Sequence, residues 1–144
     1  MNTSGKPATI LVVDDEQAYR DAIADVLRSR GHTVLVAGSA AEALGVLNTT
    51  TPELIMLDIM MPGVDGLTLL RHLASDPRFL AVPLIMASAK AMPADRFTAW
   101  ERGASAYLAK PFTFEEITSL VEYWLGSPEP DEVPDAMDER LATV

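Results

Sequence analysis

The chain has 144 residues, no cysteine, and 21 acidic against 11 basic side chains, for a formal net charge of −10. That length suits one domain with a packed core, the lack of cysteine excludes disulfide frameworks and thiolate metal sites and fits a reducing, cytoplasmic setting, and the acidity argues against a nucleic-acid surface, which needs a basic stripe. No apolar run approaches the ~20 residues of a membrane span, and residues 1–7 lack the charged-then-apolar layout of a secretory signal.

Short apolar runs alternate with helical periodicity, the pattern of a parallel α/β sheet. After an extension over 1–7, residues 8–13 (ATILVV) are apolar without alternation and read as a strand buried on both faces. Residues 16–30 carry Tyr19, Ile23, Val26 and Leu27 at helical spacing, stopped by Gly31. Residues 33–37 form a second strand. Ser39 with Glu42 has capping-box spacing for a helix reaching about Asn48. A third strand covers 54–57, and a helix covers 65–74 with Leu67, Leu70 and Leu73 on one side. The fourth strand is 83–87. A helix over 93–102 has Pro93 in its first turn and Gly103 past its end. The fifth strand is 106–109, and the last helix, 113–125, turns Ile117, Leu120, Val121 and Trp124 inward behind a Thr113–Glu116 capping box. From 126 to 144 the chain is proline-rich, with 6 acids and 1 base, and reads as a disordered, solvated tail. One domain, 8–125, therefore holds the fold.

Parallel strands put their C-terminal ends on one rim, where open α/β sheets place their chemistry. Here Val13 precedes Asp14-Asp15, Leu57 precedes Asp58, Ala87 precedes Ser88, and Ala109 precedes Lys110. Clustered carboxylates repel unless a cation sits among them, and Mg²⁺ takes carboxylate, water and phosphate oxygens. Lys110 offers a charge for a phosphoryl oxygen, Ser88 a hydroxyl, and Asp58 a nucleophilic carboxylate. Taken singly these residues have plainer readings. Asp14-Asp15 can be a solvated turn, Asp58 an N-cap, Ser88 a loop hydroxyl, Lys110 a surface residue, and Tyr107 half-buried packing. His32 and His72 show no ligand spacing and are expected to face solvent, and the methionines are filling rather than a metal box.

Four segments together, Val12-Val-Asp-Asp-Glu, Leu57-Asp-Ile-Met-Met-Pro-Gly-Val-Asp-Gly, Met86-Ala-Ser-Ala and Tyr107-Leu-Ala-Lys-Pro-Phe, resemble the receiver domain of two-component response regulators. The likeness covers roughly residues 8–125. It implies a flavodoxin-like three-layer sandwich, a five-stranded parallel sheet of order 2-1-3-4-5 with five helices. It implies that Asp58 takes a phosphoryl group from a phosphohistidine donor with Mg²⁺. Asp15, Asp58 and the Met60 backbone carbonyl would ligate the metal and Asp14 would act through a water. Lys110 would pair with Asp58 at rest and with the phosphoryl group afterwards. Ser88 and Tyr107 would be the switch, and the Lys110–Pro111 bond would be cis. Ser88 stands where the family more often has threonine.

The expected role is a single-domain response regulator that catalyses only its own phosphorylation and dephosphorylation. Its readout would be the face formed by the helix at 93–102, the fifth strand and the last helix, with Arg96 and Tyr123 as candidate contact residues. Partners would be a sensor histidine kinase or histidine phosphotransfer protein and an effector protein, with no nucleic acid and no membrane. A second reading is a phosphorelay intermediate. A third, a phosphatase of the haloacid dehalogenase type, wants an acid two residues after its nucleophile, where this chain has Met60.

Overall fold

Five short parallel strands, β1 (Thr9–Val13), β2 (Thr33–Ala37), β3 (Leu54–Leu57), β4 (Leu84–Ser88) and β5 (Ala106–Ala109), pair in the order β2-β1-β3-β4-β5. The computed structural model describes residues 7–58, 66–88 and 103–126. Along the chain these are β1 (Thr9–Val13), α1 (Gln17–Ser29), β2 (Thr33–Ala37), α2 (Ala40–Thr49), β3 (Leu54–Leu57), α3 (Gly66–Ala74), a 3₁₀ turn (Pro77–Phe79), β4 (Leu84–Ser88), β5 (Ala106–Ala109) and α4 (Phe114–Leu125). The helix expected at 93–102 and most of the 126–144 tail lie outside the described residues.

Side chains alternate along each strand, so the sheet feeds two cores. Leu11, Val13, Ile55, Leu57, Met86 and Tyr107 pack toward α2 and α3. Ile10, Val12, Met56, Ile85, Ala87 and Leu108 pack toward α1 and α4. Burial on both faces explains why β1 and β3 read as continuous apolar runs. The outcome is a three-layer, flavodoxin-like sandwich with four α-helices among the described residues.

The helix ends follow local chemistry. Thr113 accepts from Glu116 N and the Glu116 carboxylate takes Thr113 N, a complete capping box. At α2 the box is displaced. Ser39 accepts from Glu42 N, but the Glu42 carboxylate reaches past it to Gly38 N, 2.8 Å away. Among the described side chains of α3, Leu69, Leu70 and Leu73 face inward, so Leu70 and Leu73 lie on the expected side and Leu69 joins them; the side chain of Leu67 lies outside the described residues. In α1 Ala24 joins Ile23 and Leu27 in the core, and Val26 is only half-buried. Trp124 is also half-buried, packed against the α1/α4 core.

Gly103, just before β5, has φ +112°. A Cβ there would meet Ala74 Cβ at 2.5 Å, so both backbone and space require glycine.

His32 corrects an expectation. It is 6% exposed rather than solvent-facing, and its Nδ1 accepts from Ala8 N at 3.1 Å. It closes the sheet edge opposite the chemical rim, where the turn after α1 would otherwise leave the Ala8 N–H buried and unpaired. Burial pushes its pKa below the usual histidine value, against smaller upward pulls from Glu122 and Glu53. His72 is exposed, as expected.

Candidate acidic phosphoryl site

The ends of β1, β3, β4 and β5 meet at one rim. Asp14 follows β1, and its backbone N–H still bonds Ala37 O of β2 at 3.0 Å. Asp58 follows β3 and bonds Val13 O at 2.9 Å. Both carboxylates are therefore held by the sheet ladder continuing one residue past the strands. Both are also buried, Asp14 at 2% and Asp58 at 4% exposure.

Lys110 follows β5, and its bond to Pro111 is cis. Its Nζ donates to Asp14 Oδ2 at 2.8 Å, Glu16 Oε1 at 3.1 Å and Asp58 Oδ2 at 3.3 Å. Buried charges persist only when paired and hydrogen-bonded, and this arrangement meets both conditions. Burial alone would lower the lysine's pKa. The Asp14 bond and charge, then Asp58 and Glu16, outweigh it and raise the pKa above the usual lysine value, so the ammonium stays charged at neutral pH.

Two residues of α1 hold the rest of the rim. Arg20 Nη1 donates to Asp14 O at 2.9 Å. The Tyr19 ring centroid lies 4.2 Å from Lys110 Nζ. Asp14 Oδ1 also accepts from Glu16 N at 2.9 Å, shaping the turn into α1. Gly38 lies beside this corner: a Cβ there would meet Arg20 Nη1 at 2.8 Å, so the guanidinium would have to shift.

One carboxylate oxygen from each of Asp14, Glu16 and Asp58 lies within 4.8 Å of the others. This all-oxygen, negatively charged donor set fits a hard divalent cation such as Mg²⁺. Of the sequence candidates, the structure brings together Asp14, Asp58 and Lys110. Asp15 is exposed and stands outside this carboxylate group. Ser88 ends β4, its backbone in register with Ala109. Tyr107 is 0% exposed, in register with Met86. Tyr123 is half-buried, its ring edge-on to Trp124 at 5.3 Å. Met60 and Arg96 lie outside the described residues.

Sequence reasoning missed Glu16, Tyr19 and Arg20 as rim residues. Glu16 was available as the third acid of a run. Tyr19 reads only as a core position of α1, because nothing in helical spacing says that a ring will face a lysine 91 positions later.

Comparison with known proteins agrees with this geometry. The family described as response regulator receiver domain matches residues 10–122. The response regulator MprA of Mycobacterium sp. (strain KMS) is 36% identical over 130 residues, covering 90% of this chain and 56% of that protein. The chain thus spans about half the length of the curated relatives it matches. Among solved structures, the receiver domain of NtrX from Brucella abortus superposes with a TM-score of 0.75 at 35% identity, covering 81% of this chain and 97% of that one. The chemotaxis response regulator CheY4 of Vibrio cholerae shares the fold, with a TM-score of 0.79 at 24% identity over 83% of this chain and 100% of that one. With an acidic rim, a lysine crossing it and this sheet order all in place, the chain belongs to the response regulator receiver family.

Proposed function

We propose that this receiver is a phosphorylatable switch in which Asp58 accepts a phosphoryl group from a phosphohistidine donor. The observation that carries the reading is a buried Asp58 carboxylate sharing the Lys110 ammonium with Asp14 at the sheet rim. An Asp58 oxygen attacks phosphorus and forms the O–P bond as the donor's N–P bond breaks. The donor imidazole leaves with that electron pair and takes a proton from solvent. Lys110 meets the charge on the new phosphoryl oxygens from a position already beside Asp58.

Asp14, Asp15 and Asp58 are the residues that would hold Mg²⁺, with Glu16 beside Asp14 and Asp58 in the same carboxylate group and the Met60 carbonyl as a further ligand. When bound, Mg²⁺ neutralises the crowded carboxylates and the incoming phosphoryl charge.

Phosphorylation adds about −1.5 to −2 charges at the rim. We place the response in Ser88, which ends β4 on that rim, and in Tyr107, whose buried ring stands on the neighbouring strand β5. The readout is protein binding on the face that includes β5 and α4, with Arg96 and Tyr123 as contact residues. The donor is a sensor histidine kinase or a phosphotransfer protein, and the recipient of the signal is an effector protein.

The test is phosphotransfer from labelled histidine kinases of the same organism. Label should move from the donor histidine to Asp58 and stay there until hydrolysed. Onward movement to a histidine phosphotransfer protein would assign the chain to a relay instead. Label that never leaves any donor would refute the phospho-acceptor reading.

A further inference from the structure

Three carboxylates attract Lys110 to the rim, but attraction alone does not fix where a four-carbon stem places its charge. The remaining side of the ammonium is covered by an aromatic ring. Tyr19 presents its face to Lys110 Nζ at 4.2 Å. That ring is itself braced edge-on by Phe112, with centroids 5.6 Å apart and planes at 66°. Phe112 lies two residues beyond the lysine, so one short segment supplies both the charge and the brace. The Lys110 side chain is left 5% exposed.

We propose that Tyr19 is a positioning residue for phosphoryl transfer, its ring holding the Lys110 ammonium over the rim. The inference rests on the reading of Asp58 as phospho-acceptor. A ring suits the task for a physical reason. The lysine must exchange carboxylate partners for phosphoryl oxygens, and a further carboxylate would compete for it. The negative face of an aromatic ring attracts a cation without a directed bond, and that attraction grows where water is excluded. The ammonium can then turn between acceptors while its location is kept. The neighbouring Arg20 bond to Asp14 O ties the same turn of α1 to the acidic side of the site.

The ring, not the hydroxyl, carries this role. Tyr19→Phe keeps the face, while Tyr19→Leu keeps apolar packing on Phe112 and loses it. Two measurements on the full chain test the idea. The first is acylation of Lys110 by an amine-reactive reagent, read by mass spectrometry against Lys6 of the same chain. Tyr19→Leu should raise Lys110 labelling several-fold, and Tyr19→Phe should match the wild type. The second is the rate of Asp58 phosphorylation by acetyl phosphate at saturating Mg²⁺. It should fall about three- to ten-fold in Tyr19→Leu and stay within about two-fold in Tyr19→Phe, with the Mg²⁺ dissociation constant unchanged in both. A purely structural role would move the thermal midpoint and the Mg²⁺ constant along with the rate. Equal acylation in all three proteins, a Tyr19→Leu rate equal to wild type, or a Tyr19→Phe rate as low as that of Tyr19→Leu would each overturn the proposal. A wild-type chain that takes no phosphoryl label would overturn the phospho-acceptor reading, and the acylation arm would still decide whether the Tyr19 ring holds the Lys110 ammonium.

Discussion

Lys110 sits closer to Asp14 than to Asp58: Nζ is 2.8 Å from Asp14 Oδ2 and 3.3 Å from Asp58 Oδ2. The lysine therefore joins the ends of β1, β3 and β5, and it is the counter-ion of two buried carboxylates rather than of Asp58 alone. Removing the charge while keeping the stem, as in Lys110→Met, leaves both buried acids without the lysine's counter-charge. Breaking a buried pair in this way costs about 3 kcal/mol, and urea unfolding without Mg²⁺ should show a loss of that size. Added Mg²⁺ should restore part of it. Because the folded pKa of Lys110 is raised, its contribution is fully present at neutral pH and is lost only as pH rises above the unfolded value of 10.5 and through the folded one. An unchanged unfolding midpoint in Lys110→Met would remove the structural role.

Asp15 and Glu16 make opposite claims on a metal. The family likeness would make Asp15 a ligand, whereas Glu16 is the acid that stands in the carboxylate group. Glu16 is 59% exposed in its side chain, so its charge acts largely through water. Mg²⁺ titration should show Asp15→Asn weakening binding by about ten-fold or more and Glu16→Gln by about three-fold or less. The reverse order would make Glu16 the ligand.

His32 gives the fold a pH dependence of known sign. Its folded pKa lies below the unfolded value of 6.5. Between those two values the unfolded chain binds the extra proton. This contribution to stability is therefore present above pH 6.5 and lost as pH falls through the folded pKa. Protonation also removes the Nδ1 lone pair that accepts from Ala8 N. His32→Asn, which keeps an acceptor near that position, should lose less stability than wild type between pH 7.5 and 5.5. Equal losses in the two proteins would contradict this account.

Gly38 gives a packing prediction at the rim. A methyl group there would collide with Arg20 Nη1, which bonds Asp14 O. Gly38→Ala should cost no more than about 1 kcal/mol, because the guanidinium end can give way, and in an Arg20→Ala background the same change should cost less. Additive losses would show that the collision is relieved without moving Arg20.

Much of this architecture is legible from local chemistry. The runs at β2, β3 and β5 are bounded by turn residues, and their limits in the structure match the apolar segments. Thr113 and Glu116 carry their capping box wholly within four residues. The partners that escaped are those set by packing between distant segments. His32 is polar and follows a glycine, so it reads as a solvated turn; only the arrival of β1 beside it makes its Nδ1 an acceptor. The Pro77–Phe79 turn buries Phe79 against α3 with no periodic signal to announce it. At the rim, strand-end position identifies Asp14, Asp58 and Lys110, whereas Tyr19 and Arg20 join them through the angle at which α1 packs on the sheet.

The central claim concerns one carboxylate. Acetyl phosphate with Mg²⁺ should place a single acid-stable, base-labile phosphoryl group on the chain, and peptide mass spectrometry should locate it on Asp58. Asp58→Asn should carry none, while retaining the wild-type fold by circular dichroism. Undiminished labelling of Asp58→Asn, or a wild-type label located on another residue, would contradict the account.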